Sequence, residues 1–133
     1  FLNHGIASVI TDPPQRESAF NQRYVFPDGE LVPISTTLRA AETSGFEVRD
    51  VESLREHYAL TLRHWVRRLE SHADEARQLT GDVTYRIWRI YMSASIYAFL
   101  TGGVNIYQTL LAKPNHGDSH LPLTRADWYV PTL

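Results

Sequence analysis

The sequence predicts an α/β fold with a thin sheet of about three strands. Three observations carry this. Short apolar or alternating runs open, divide and nearly close the chain, as strands do. Two long stretches repeat apolar residues at helical spacing. Apart from Gly5, glycine and proline fall between these runs rather than inside them. The chain has 133 residues, 43% of them hydrophobic. That is enough for one domain with a core and too apolar for wholesale disorder.

Residues 1–10 (FLNHGIASVI) read as a largely buried strand. Residues 11–22 hold Pro13 and Pro14 and read as a loop, with Asp12 as a turn signal. Tyr24 to Glu30 is an aromatic run closed by Pro27-Asp28-Gly29, where Gly29 supplies any positive φ the turn needs. A short helix follows, with Ser35 as N-cap, Pro33 before it and Gly45 beyond its end. Phe46 to Val51 alternates as a half-buried strand, Phe46 and Val48 pointing one way and Glu47 and Arg49 the other.

Residues 53–79 predict one long helix whose apolar face carries Leu54, Tyr58, Leu62, Trp65 and Leu69, ended by Gly81. Val83 to Leu100 predicts a second, apolar on two faces. One row is Val83, Ile87, Ile90, Ala94 and Tyr97; the next is Tyr85, Trp88, Met92, Ser95 and Phe99. Such a helix is buried or lines something greasy. Gly102-Gly103 closes it, and Val104 to Ala112 is the last strand. Residues 114–133 read as a tail, pinned by Trp128 and Tyr129. The start at Phe1, inside a strand, suggests a processed or truncated chain. A three-stranded sheet leaves edges for a partner or a second copy to cover.

Composition excludes several functions. There is no cysteine, so neither a disulfide nor a cysteine zinc site can form. A net charge of −2 gives no broad basic footprint, so no nucleic-acid partner is expected. No run reaches the ~18 apolar residues of a membrane span. His57, His64 and His72 are too far apart on a helix to share a metal, and His116 and His120 sit in the tail; no metal is expected. Charge is uneven: residues 55–89 hold seven arginines against five acids. Arg63, Arg67 and Arg68, with Arg86 and Arg89, read either as a solvated helix face or as a patch for anionic phospholipid headgroups.

Four runs, FLNHGI, YVFPDGEL, GFEVRDVESLREHYALTLRHW and GVNIYQTLL, occur in an order and spacing that resemble the carboxy-terminal part of cyclopropane-fatty-acyl-phospholipid synthases. Mycolic acid cyclopropane synthases are close relatives. The most specific motifs are Tyr24-x-Phe26-Pro27-x-Gly29-x-Leu31 and Tyr58-x-x-Thr61-Leu62-x-x-Trp65. The resemblance spans residues 1–113 as one segment and leaves 114–133 as a tail.

The resemblance implies a class I S-adenosylmethionine-dependent methyltransferase fold, which is Rossmann-like. Phe1–Ser8, Phe46–Val51 and Val104–Ala112 would be its fifth, sixth and seventh strands, the seventh lying antiparallel between the others. The two helices before it would wall an acyl pocket. The implied reaction methylates the cis double bond of an unsaturated phospholipid acyl chain. The carbocation then loses a proton to a bound bicarbonate and closes a cyclopropane.

By the same resemblance His4 and Tyr58 are the catalytic pair and bicarbonate ligands, with Ile6 contributing backbone. Tyr24, Phe26, Tyr91 and Phe99 border the substrate. Read from the residues alone, His4 is an ordinary polar strand-end residue, Tyr58 a core tyrosine that still needs a partner for its hydroxyl, and Tyr91 and Phe99 plain core; for Tyr24 and Phe26 packing and lining weigh equally. Trp65 reads as structural. The glycine-rich loop and the acidic residue that hold S-adenosylmethionine in this family have no match here. The chain alone is therefore expected to be inactive. A methyl-branching enzyme and a non-catalytic lipid-binding or self-associating fragment are the alternatives. A cytoplasmic protein resting on the membrane surface is the expected setting.

Overall fold

The structure is a computed structural model and describes residues 1–10 and 18–129. Its elements run β1 (Leu2–Ser8), α1 (Ala19–Tyr24), α2 (Ile34–Thr43), β2 (Glu47–Ser53), α3 (Arg55–Ser71), α4 (Ala73–Thr80), α5 (Asp82–Thr101) and β3 (Val104–Ala112). The three strands form one sheet in the order β1-β3-β2, with β3 antiparallel to both neighbours. This is the strand order the resemblance implies.

Sequence and structure part company at several elements. The loop expected through residue 22 is helical from Ala19, where Phe20 and Tyr24, one turn apart, bring their rings to 5.3 Å. The Asp12-Pro13-Pro14 turn lies outside the described residues. Helix α2 begins at Ile34 with Pro33 at the cap position, two residues before the expected Ser35 cap. Proline there has the fixed φ that suits a helix entrance.

The long helix expected over 53–79 is two helices, α3 and α4, divided at His72 (φ −118°, ψ 31°). The His72 ring nitrogen Nδ1 lies 3.0 Å from the carbonyl oxygen of Arg68. In β2 the pairing jumps from Val48 opposite Leu111 to Asp50 opposite Leu110, leaving Arg49 as a bulge. The bulge therefore turns Asp50, which unbroken alternation would place in Val48's row, to the opposite face with Leu110, where it is buried.

The core lies between the sheet and the α3/α5 pair. Ala59 and Leu62 of α3 meet Met92 and Phe99 of α5 over Ile106 of β3. Of the two apolar rows on α5, the one with Tyr85, Met92 and Phe99 is buried, while Val83, Ile90 and Tyr97 stay exposed. Arg55, first residue of α3, donates to the carbonyl of Phe99 at 2.7 Å. A cation there suits the negative end of α5. Gly102 ends α5 in the left-handed conformation (φ 77°), which glycine adopts without strain.

The tail is held differently from expectation. Arg125 pairs with the buried carboxylate of Asp50, and Trp128 joins Asp50 and Leu110 around a crevice. Tyr129 is 75% exposed and pins nothing.

Candidate functional site

Alternation on β1 puts His4 and Ile6 on the face that receives α3 and α5, opposite Gln108 and Ile106 of β3. Helix α3 is anchored beside them, because the Leu54 N–H donates to the carbonyl of Ile106 at 2.9 Å. Tyr58 sits one turn further along. Its ring is 6.5 Å from that of His4 and 5.1 Å from that of Phe99, with Trp65 at 5.9 Å on its other side. The structure thus brings near each other the two side chains to which the resemblance assigns one anion. Burial, and secondarily the nearby Tyr91, pushes the Tyr58 phenol above its usual range. It therefore stays protonated and able to donate.

A cavity of about 690 Å³ reaches Ile6 and Phe99, the neighbours of this pair, but neither His4 nor Tyr58 lines it. Ile6, Phe26, Leu31, Tyr91, Ala98 and Phe99 are among its lining residues, and exposed Glu30 is the one charged liner among the described residues. Its size is that of ordinary small-molecule sites. Tyr24 is not part of the wall; it packs on Phe20, which is. Phe26 meets Tyr91 edge-on at 5.7 Å, and Tyr91 meets Trp88 at the same spacing.

Gly29 holds Phe26 in place by proximity rather than by a positive φ. A Cβ at Gly29 would fall 2.8 Å from the Cβ of Phe26. Its N–H donates to the Phe26 carbonyl at 3.1 Å.

The arginine patch is smaller than expected. Arg86 pairs with Asp82 at 2.8 Å and Arg89 with Glu70 at 2.7 Å. Arg63, Arg67 and Arg68 are exposed, and among the described residues no acid pairs with them. Among the described residues no three His, Asp or Glu side chains are grouped to hold a metal, and no helix is long and apolar enough to cross a membrane.

A sheet whose last strand is inserted antiparallel in its middle, with a helical wall over a greasy cavity, defines the carboxy-terminal part of a class I methyltransferase fold. A family model described as mycolic acid cyclopropane synthetase matches residues 1–109, and the chain belongs to that family.

Relatives agree. A probable fatty acid methyltransferase of Pseudomonas putida is 45% identical over 96% of this chain and 34% of its own length. One of Mycobacterium tuberculosis is 37% identical over 98% of this chain and 30% of its own. The chain therefore spans about a third of the curated relatives it matches. Among solved structures, the mycolic acid cyclopropane synthase CmaA1 complexed with SAH and CTAB aligns with a TM-score of 0.74 and 26% identity, over 83% of this chain and 42% of that one.

Two groups that the family implies can be tested against these residues. S-adenosylmethionine does not fit them. The sequence has no glycine-rich strand-to-helix loop, and Gly102-Gly103 leads from a helix into a strand. For a small oxyanion the residues offer donors of the right kind. A histidine and a protonated phenol face one another across a 6.5 Å ring separation at the edge of an apolar wall, and such donors favour an anion.

Proposed function

We propose that this chain is the acyl-binding and proton-removing part of a methyltransferase acting on the cis double bond of unsaturated phospholipid acyl chains, with a cyclopropane as product. S-adenosylmethionine is the proposed methyl donor, held by residues other than these; the relative complexed with SAH supports that class. The observation that carries the proposal is the 690 Å³ apolar cavity whose wall residue Phe99 packs on Tyr58, the ring beside His4.

Each residue's part follows from its surroundings. Ile6, Leu31 and Ala98 line the path of the acyl chain and keep water from the cationic carbon. The faces of Phe26, Tyr91 and Phe99 favour that cation, by about 0.5–2 kcal/mol for a well-placed ring. His4, the Tyr58 hydroxyl and the backbone of Ile6 hold the bicarbonate. When bound, bicarbonate supplies the base for the ring-closing proton.

Contact with the lipid surface belongs to the same proposal. Arg63, Arg67 and Arg68 meet anionic headgroups in it. Arg68 borders a shallow groove of about 400 Å³ with Trp65, Leu69 and His72, which offers apolar and cationic contacts together.

The test is methyl transfer to unsaturated phospholipid vesicles by the intact protein, with the lipid product identified by gas chromatography. Tyr58→Phe and His4→Gln should each lower turnover about 10- to 100-fold, the worth of a hydrogen bond to a charged group, and added bicarbonate should restore neither fully. Unchanged turnover in both variants removes the pair from the site, and a methyl-branched product replaces the cyclopropane assignment.

A further inference from the structure

The middle strand places a polar residue beside this pair that no motif marks. Gln108 stands directly opposite His4 on β1 and opposite Glu52 on β2. Ile106, two residues back on β3, is buried against α3 and α5, so Gln108 shares the face on which Tyr58 sits. Residues directly opposite in an antiparallel pair keep their Cβ atoms about 4.5–5.5 Å apart, within reach of a long side chain. Gln108 is half-buried. Asn105 and Tyr107, its neighbours along the strand, bond to one another at 2.9 Å, whereas no side-chain hydrogen bond ties Gln108 among the described residues.

We infer that the carboxamide of Gln108 is a third donor to the small oxyanion between His4 and Tyr58. The inference rests on the function proposed above for the anion's place and adds a residue to it. A carboxamide has two N–H donors and no charge, so it can donate to a monoanion without a proton of its own to lose. Imidazole, phenol and amide then approach the anion from β1, α3 and β3, which suits a planar group with three oxygens. A bond of this kind, from N–H to a charged acceptor, is stronger than one between neutral partners. Glu52 is the competing acceptor for the same amide, and its exposure favours its solvation by water instead.

The experiment titrates ¹³C-labelled bicarbonate into the intact protein and follows binding by carbon resonance and calorimetry. Gln108→Leu and Gln108→Glu should raise the dissociation constant about tenfold or more, and Glu52→Gln should leave it within twofold. In the unsubstituted protein, the ¹⁵N side-chain amide resonances of Gln108 should shift with the same midpoint as binding. This readout stands even where a variant fails to fold.

Unchanged affinity in both Gln108 variants, an unmoved amide resonance, or an equal loss in Glu52→Gln overturns the inference. Gln108-dependent bicarbonate binding without methyl transfer supports the inference and overturns the proposed reaction. Methyl transfer without bicarbonate binding does the reverse.

Discussion

Tyr58 does two jobs with one side chain. Its ring joins the packing between α3 and Phe99, while its hydroxyl stays protonated because burial, and then Tyr91, disfavours the phenolate. The raised value has a consequence for stability. Folded and unfolded states carry the same proton below the usual phenol value of about 10. Above it the unfolded chain loses the proton first, so the folded state loses relative stability as pH rises further. A spectrophotometric tyrosine titration should show one late component that Tyr58→Phe removes. The same variant should soften the fall of melting temperature above about pH 10; a late component that persists would assign it elsewhere. That His4 and Tyr58 would lie near each other followed from the family resemblance rather than from periodicity. Gln108 was not legible, since its place depends on which residues of three separate strands stand opposite one another, and register is a tertiary property. Gly29 was legible as a turn glycine, but its reason was misread: the constraint is the Phe26 side chain, not the backbone angle.

At the level of elements, strands and long helices followed from periodicity, and the interruptions did not. The break at His72 is silent because polar and apolar residues keep their order through it. Only the His72 backbone and its ring bond to the Arg68 carbonyl mark it. Helix α1 has six residues, less than two turns and too few for an apolar face to repeat, and the bulge at Arg49 reverses an alternation that the sequence shows as unbroken. The arginines show the same limit: charge counts treated five as equal, and pairing with Asp82 and Glu70 removes two. The remaining three sit on α3, so their test belongs to that helix. Replacing Arg63, Arg67 and Arg68 by glutamine should weaken binding to anionic vesicles by up to about fivefold per residue, from about 1 kcal/mol for each basic residue at a charged surface. Binding to zwitterionic vesicles should barely change. Equal loss on both surfaces, or none, would return α3 to a merely solvated face.

For the whole molecule, the order β1-β3-β2 came from resemblance; composition and periodicity fix the strands but not their neighbours. A chain of these 133 residues alone should give no binding heat with S-adenosylmethionine in calorimetry, because no glycine-rich loop is present to receive it; clear heat would mean that another part of the structure binds the cofactor. The sheet also has a history in time. Its central strand is the last to be made, and β1 and β2 bond to it and not to each other. Until β3 has left the ribosome, β1 and β2 lack the strand that joins them here, and α3 has no Ile106 carbonyl to dock on. Closing so long a loop is slow, and unpaired strands invite wrong company meanwhile. Folding here should behave as a clasp shut by its final link, with the site completed at the same step as the sheet.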